Sequence, residues 1–281
     1  MRIPDWLVYA AVLAVIVATL FVLAQGRDGL AVEPFAMARS AYDDSSEPPP
    51  LPAPDPFDER VLVQVGDAED GIGTAFAINK SGAWLTARHV VDGCASVGLA
   101  VGDGRLVHVD QIHSSRDSDL ALLITDRAPA QISLHLDREL RIGEAGYHVG
   151  FPQGRPGEAS SHLIARSRLV TRGRYTTEEQ VLAWAESDRS EGIEGTLSGM
   201  SGGPVFDKNG VVIGVTLAES PRRGRIYTAT PDSISQFLED QGLIAPGTDA
   251  HPLGASTYAR EADLLRDERA VVKVLCRVSN N

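Results

Sequence analysis

Ser198-Gly199-Met200-Ser201-Gly202-Gly203-Pro204-Val205-Phe206 is the stretch on which the reading of this chain turns. A serine set among glycines contributes little to a core and is a poor helix or strand former. Glycine does permit a tight turn that leaves a hydroxyl exposed, with neighbouring N–H groups free to meet a developing oxyanion. The plainer reading is a glycine-rich turn ahead of a strand. A nucleophile at Ser201 therefore requires a base and an orienting group elsewhere in the sequence.

Two upstream segments offer them. Leu85-Thr86-Ala87-Arg88-His89-Val90-Val91 places a histidine directly after an apolar strand, where a ring can be presented into a cleft. Asp117-Ser118-Asp119-Leu120-Ala121-Leu122-Leu123-Ile124 places an acid against the start of a buried strand. Serine hydrolysis needs an imidazole to take the hydroxyl proton and a carboxylate to hold that imidazole in one tautomer. His89, Asp119 and Ser201 fill these roles in that chain order, with Asp117 as the fallback acid. His108, His113, His135, His148, His162 and His251 are read as surface or structural histidines.

From residue 59 onward the chain has the texture of short strands separated by turns. Val61–Val65, Thr74–Ile78 and Ala83–Thr86 open the series, with Asn79-Lys80-Ser81-Gly82 as a turn. Further strands are expected over 96–101, 105–112, 119–124, 145–151, 161–170, 180–186, 203–207, 211–218 and 226–229. This pattern predicts an all-β sandwich or barrel. Ile234, Phe237 and Leu238 recur at helical spacing after Pro231, and Gly242 follows, so one amphipathic helix is expected to close the main domain. A charged helix over 260–269 and a last strand over 271–278 are expected after it.

The chain has 281 residues with 43% apolar content, 27 glycines and 16 prolines, enough for a substantial turn-rich core. Lys plus Arg number 26 against 38 Asp plus Glu, a net charge of −12 that argues against nucleic acid as a partner. The two cysteines, Cys94 and Cys276, are too far apart in sequence for a local zinc knuckle or a CxxC pair. They are open to two readings, one long-range disulfide or two free thiols. Trp6 to Ala24 runs 19 residues without a charge, long enough to cross a bilayer as a helix. Arg2 ahead of it predicts a cytoplasmic N-terminus and an extracytoplasmic body. A cleaved signal peptide is the alternative, but the apolar run exceeds the usual h-region of about 7–15 residues.

In these motifs the chain resembles the chymotrypsin-fold (trypsin-like) serine peptidases, nearest to the bacterial HtrA-like branch but without a PDZ domain. The resemblance rests on Gly73-Thr74-Ala75-Phe76, on the segments holding His89 and Asp119, and on Gly199-Met200-Ser201-Gly202-Gly203-Pro204. Gly150-Phe151-Pro152-Gln153-Gly154 and Gly210-Val211-Val212-Ile213-Gly214-Val215 extend it over about 60–243. It implies two six-stranded antiparallel barrels with the site between them; with the closing C-terminal helix and the one N-terminal transmembrane helix read from the sequence itself, this is the expected all-β fold. His89 would act as base and then acid, Asp119 would orient it, and Ser201 would attack the scissile carbonyl. The N–H groups of Gly199 and Ser201 would form the oxyanion hole. Gly195, Thr196, Leu217, Ala218 and Glu219 would line a primary pocket for a small or medium apolar side chain.

The resemblance also has departures. Met200 stands where the HtrA branch has Asn and the trypsin branch Asp, so a zymogen switch through a buried ion pair at that position is not expected. The segments expected are a signal anchor over 1–25, a Pro-rich acidic tether over 26–58, the peptidase domain over 59–245 and an extension over 246–281 packed on it. Cys94 and Cys276 are expected to be bonded, pinning the last strand to the first barrel. The reading is a membrane-anchored serine endopeptidase acting on protein or peptide substrates outside the cytoplasm, tethered to the bilayer through residues 6–24. No metal or organic cofactor is expected. The rival is a tethered pseudopeptidase that binds a partner, its ground being a distortion of the oxyanion turn by Met200. The G-x-S-x-G elbow of α/β-hydrolases is set aside, since a strand rather than a helix follows Ser201.

Overall fold

The structure, a computed structural model, describes residues 48–279 except 103, 245–253 and 255. The apolar span 6–24, the tether up to residue 47 and His251 lie outside the described residues. No helix among the described residues is long and apolar enough to cross a membrane.

Among the described residues fourteen strands build two sheets, and the two-barrel architecture expected from the sequence is present. The first contains β2 (Gly71–Ala77), β3 (Ala83–Ala87), β4 (Ser96–Ala100), β5 (Leu106–His108), β6 (Gln111–Ser114), β7 (Leu120–Ile124) and β14 (Val271–Arg277). Its order is β5-β4-β14-β2-β3-β7-β6. The second contains β1 (Glu59–Val65), β8 (Ala145–Gly150), β9 (Gly157–Gly173), β10 (Thr177–Arg189), β11 (Pro204–Phe206), β12 (Val212–Ser220) and β13 (Arg225–Ala229). There β9, β10, β13, β12, β11 and β8 close into a ring, because β8 pairs with both β11 and β9.

Each sheet has seven strands rather than the expected six, and the termini explain why. β1 adds to the second barrel by pairing parallel to the far half of β9, so the pairing is not wholly antiparallel. β14 runs antiparallel to β2 on one side and β4 on the other, so the last strand lies inside the first sheet instead of packing on it. Each terminal strand thus joins the barrel farther from it along the chain. The disulfide Cys94–Cys276 fixes the second exchange, with Cα atoms 5.4 Å apart. The expected pairing of these cysteines is present.

The strand residues carry the alternation or continuous apolarity that buries them. β3 and most of β7 are buried throughout, and Trp84 donates through Nε1 to Thr125 Oγ1 at 2.9 Å. Trp184 on β10 is its counterpart in the second barrel and donates to Thr228 Oγ1 at 2.9 Å. Each indole NH thus has a partner, as burial of an aromatic polar atom requires. A one-turn helix α1 (Arg88–Val91) follows β3 directly. The expected closing helix is α2 (Pro231–Asp240), capped by Thr230 Oγ1 accepting from Ser233 N–H at 3.1 Å, with Ile234, Phe237 and Leu238 buried. Helix α3 (Tyr258–Asp267) begins two residues before the expected start and stacks Tyr258 on Tyr147, ring centroids 5.1 Å apart.

One expectation is corrected. Residues 48–56 do not form a free tether, because this end of the Pro-rich stretch is anchored to the second barrel. Leu51 is buried and its N–H donates to Leu140 O at 2.7 Å, while Arg166 and Arg168 donate to Pro52 O and Pro56 O, each at 2.8 Å. Proline lacks an N–H, but its carbonyl still accepts, so a Pro-rich strip can be held by side-chain donors.

Candidate active site

His89 is positioned by the way α1 begins. Ala87 at the N-cap has no side chain to satisfy the first helical N–H groups. Asp119 supplies both acceptors from across the sheet: its carbonyl takes Arg88 N–H at 3.0 Å and its Oδ1 takes His89 N–H at 3.0 Å. The same carboxylate accepts from the His89 ring, Nδ1 to Oδ2, at 2.7 Å. β3 and β7 are adjacent and register Ala87 against Leu120, which sets the residues that follow and precede them side by side. Burial works to lower the His89 pKa, but the charge and hydrogen bond of Asp119 outweigh it against a smaller opposing effect of Arg174, and the net shift is upward. With Nδ1 bonded to the carboxylate, Nε2 is the ring nitrogen left to exchange a proton.

Ser201 faces the same cleft as His89, a cavity of about 590 Å³ whose walls also include Ser198, Gly199, Leu217, Ala218, Glu219 and the Cys276 end of the disulfide. The turn before Ser201 is tied down by its carbonyls. Ser198 O accepts from Gln153 N–H at 2.5 Å, Gly199 O from the Thr74 hydroxyl at 2.7 Å, and Ser201 O from Thr74 N–H at 2.8 Å. Among the described residues, the N–H groups of Gly199 and Ser201 have no acceptor. Gly199 has φ +97, and a Cβ there would meet Phe151 O at 2.5 Å, so only glycine fits. Ser201 Oγ makes no hydrogen bond among the described residues. Catalytic bonds of this kind commonly tighten only when substrate is present.

Met200 does not distort this turn. Its side chain is fully buried in the second barrel's core, and its N–H and carbonyl close turns with Leu197 and Gly203. The physical basis offered for the pseudopeptidase alternative is therefore absent.

The expected primary-pocket residues divide. Leu217, Ala218 and Glu219 line the cleft, whereas Gly195 and Thr196 do not. Both Glu219 oxygens accept from Leu197 N–H at 2.9 Å and one also takes the Thr196 hydroxyl, tying β12 to the segment ahead of Ser198. His148 is a structural histidine, as expected: fully buried, bonded to Ser161 Oγ at 2.7 Å and Thr216 Oγ1 at 3.3 Å, and absent from the cleft. Burial pushes its pKa down to about 3, which keeps it neutral.

Sequence reasoning missed Tyr175 and Glu179, which lie on the β9–β10 hairpin. The Tyr175 hydroxyl donates to Asp119 Oδ1 at 2.6 Å, and Glu179 Oε1 accepts from Asp119 N–H at 2.5 Å. The strands expected over 161–170 and 180–186 leave 171–179 as a connecting loop, which by itself carries no signal for either residue. The long alternation of β9 and β10 was the available signal. Among the described residues, no cluster of His, Cys, Asp and Glu is placed to hold a metal.

Known proteins are similar to this chain in sequence or in fold. A protein of Bartonella henselae named "Probable periplasmic serine endoprotease DegP-like" is 30% identical over 185 residues, covering 62% of this chain and 35% of its own length. A Brucella suis protein of the same name is 30% identical over 203 residues, covering 69% and 36%. This chain thus spans about a third of the length of these curated relatives. The active form of the Rv3671c protease from M. tuberculosis shares the fold, with TM-score 0.50 at 15% identity over 72% of this chain and 96% of that one. The trypsin-like peptidase domain matches residues 73–215, half of the sequence and the span that holds His89, Asp119 and Ser201, and the chain belongs to that family.

Proposed function

We propose that this chain is a membrane-anchored serine endopeptidase that hydrolyses peptide bonds of extracytoplasmic proteins through His89, Asp119 and Ser201. The observation that carries this reading is the convergence on one cleft of the His89–Asp119 pair, Ser201 and two N–H groups that have no acceptor among the described residues. Ser201 Oγ forms a bond to the substrate carbonyl carbon as its proton passes to His89 Nε2. The N–H groups of Gly199 and Ser201 hold the resulting oxyanion. Collapse breaks the C–N bond, and His89 returns the proton to the leaving amine. Water then repeats the sequence on the acyl-enzyme. Asp119 holds the ring and stabilises the imidazolium that forms in each half.

The periplasmic placement in the relatives' names supports an extracytoplasmic domain, and the uncharged span 6–24 supports the anchor. Leu217 and Ala218 on the cleft wall suit a small or medium apolar side chain, the Glu219 carboxylate being engaged with Leu197 and Thr196. The test is a fluorophosphonate probe applied to the full chain in detergent beside Ser201→Ala and His89→Ala. Labelling of the wild type that both substitutions abolish is expected. A folded wild-type chain that takes no label overturns the reading and favours the partner-binding alternative.

A further inference from the structure

The β9–β10 hairpin belongs to the second barrel, yet its tip reaches the acid contributed by the first. Tyr175 and Glu179 are both more than nine-tenths buried, and they grip opposite ends of Asp119, the carboxylate and the backbone N–H. The tip is itself held in place. The Arg88 guanidinium lies 3.9 Å from the centre of the Tyr175 ring, and Arg174 pairs with Asp92 at 3.0 Å. Asp119 thus carries three donors on its carboxylate: the His89 ring, His89 N–H and the Tyr175 hydroxyl.

We propose that Tyr175 and Glu179 are positioning residues for the triad acid, so that the orientation of His89 is set jointly by the two barrels. This rests on the peptidase reading of the cleft. Tyr175 shares the charge of Asp119 and fixes which of its oxygens faces the ring. Glu179 fixes the backbone from which that carboxylate projects.

Glu179 does this as a neutral acid. Burial and the charge of Asp119 push its pKa up to about 8 against a smaller opposing effect of the Asp119 N–H bond, so it carries its proton at neutral pH. Its Oε2 is buried without a partner among the described residues. The charged groups around it are Asp119, whose N–H it accepts, and Asp117 ahead of β7, Arg166 on β9, and Asp232 and Asp240 on α2, these last four sharing with Glu179 the walls of a cavity of about 420 Å³. Around Tyr175 stand Asp119, Arg88 and Asp92, and around His89 stand Asp119 and Arg174. Once Glu179 ionises, a second negative charge lies beside the Asp119–His89 pair, and the two titrations become coupled.

The experiment is an NMR titration of the full chain in detergent with ring-labelled histidine, the His89 signal being identified by its loss in His89→Ala. In Tyr175→Phe the Asp119 charge is no longer shared, so the His89 pKa rises by about half a unit. Fluorophosphonate labelling of that variant slows about tenfold or more, because the ring is less well held. Glu179→Gln keeps the shape of the protonated acid. Its His89 titrates as a single group, while the wild-type curve is stretched toward higher pH as Glu179 ionises, and the variant labels faster than wild type above about pH 8. Titrations of both variants that superpose on the wild type, or a downward shift in Tyr175→Phe, overturn the proposal. The titration does not depend on turnover. A wild-type chain that takes no label but shows these shifts refutes the peptidase reading and leaves the positioning intact.

Discussion

Removing the Cys94–Cys276 disulfide is expected to weaken the first barrel selectively. The bridge joins residues 182 apart in sequence. In the chain-entropy treatment a loop of that length stabilises the fold by about 5 kcal/mol, and native bridges give about 2–5 kcal/mol on removal. For a domain of this size each kcal/mol moves the midpoint about 2–4 °C, so Cys94→Ser/Cys276→Ser should melt roughly 5–15 °C below wild type. The location of the loss is a sharper test than its size. β14 fills the place between β2 and β4, which are joined to each other in the sheet only through it. Its Val271, Val272 and Val274 are almost wholly buried, so fraying from Cys276 exposes core surface in the first barrel and leaves β9 to β13 paired. Thermal melts by circular dichroism and amide hydrogen exchange on the double variant measure both quantities. Fluorophosphonate labelling should fall as well, since Cys276 lines the cleft with His89. A midpoint within about 2 °C of wild type, or exchange that rises equally in both barrels, would refute this account of the terminal strand.

Two further outcomes follow from close approach and from burial. Gly202 has φ +85, and a Cβ there would collide with Thr74 O, Thr86 Oγ1 and, at 2.8 Å, Ala87 N. Gly202→Ala should cost more than about 4 kcal/mol in denaturant unfolding and abolish labelling. Gly143→Ala, at φ +83 with open space around it, should cost only about 1–2 kcal/mol, and equal costs would sink the steric explanation. Glu179 also gives stability a pH slope. Its folded pKa, about 8, lies above the ordinary 4.5, so between those values the folded state keeps a proton that the unfolded state has lost. Wild-type stability should therefore fall as pH rises through that window and level off above it. At about 1.4 kcal/mol per unit the shift bounds the loss at about 5 kcal/mol, and relaxation around the ionised group should leave about 1–3 kcal/mol. Glu179→Gln should lack this slope in urea unfolding at pH 5 and pH 9. Parallel curves for the two proteins would contradict the buried, protonated glutamate.

The sequence alone determined the elements and the reacting groups. Continuous apolar runs bounded by turn residues place strands such as β3, β7 and β12, because the burial of a strand is written in its own side chains. His89 at a strand end, Asp119 at a strand start and Ser201 among glycines are likewise local features, readable without knowing what they touch. The motif Gly73-Thr74-Ala75-Phe76 was legible as a pattern, but its task was not. Only the fold shows Thr74 holding the carbonyls of Gly199 and Ser201. Tertiary structure also decided which edges pair. It set β14 between β2 and β4, laid β1 parallel on β9, anchored residues 48–56 along the second barrel, and brought Tyr175 and Glu179 from the β9–β10 hairpin to Asp119. The physical reason is that edge pairing uses backbone N–H and C=O groups common to every residue. A strand's side chains specify its buried face, while its neighbour is chosen by how the whole chain closes two cores at once.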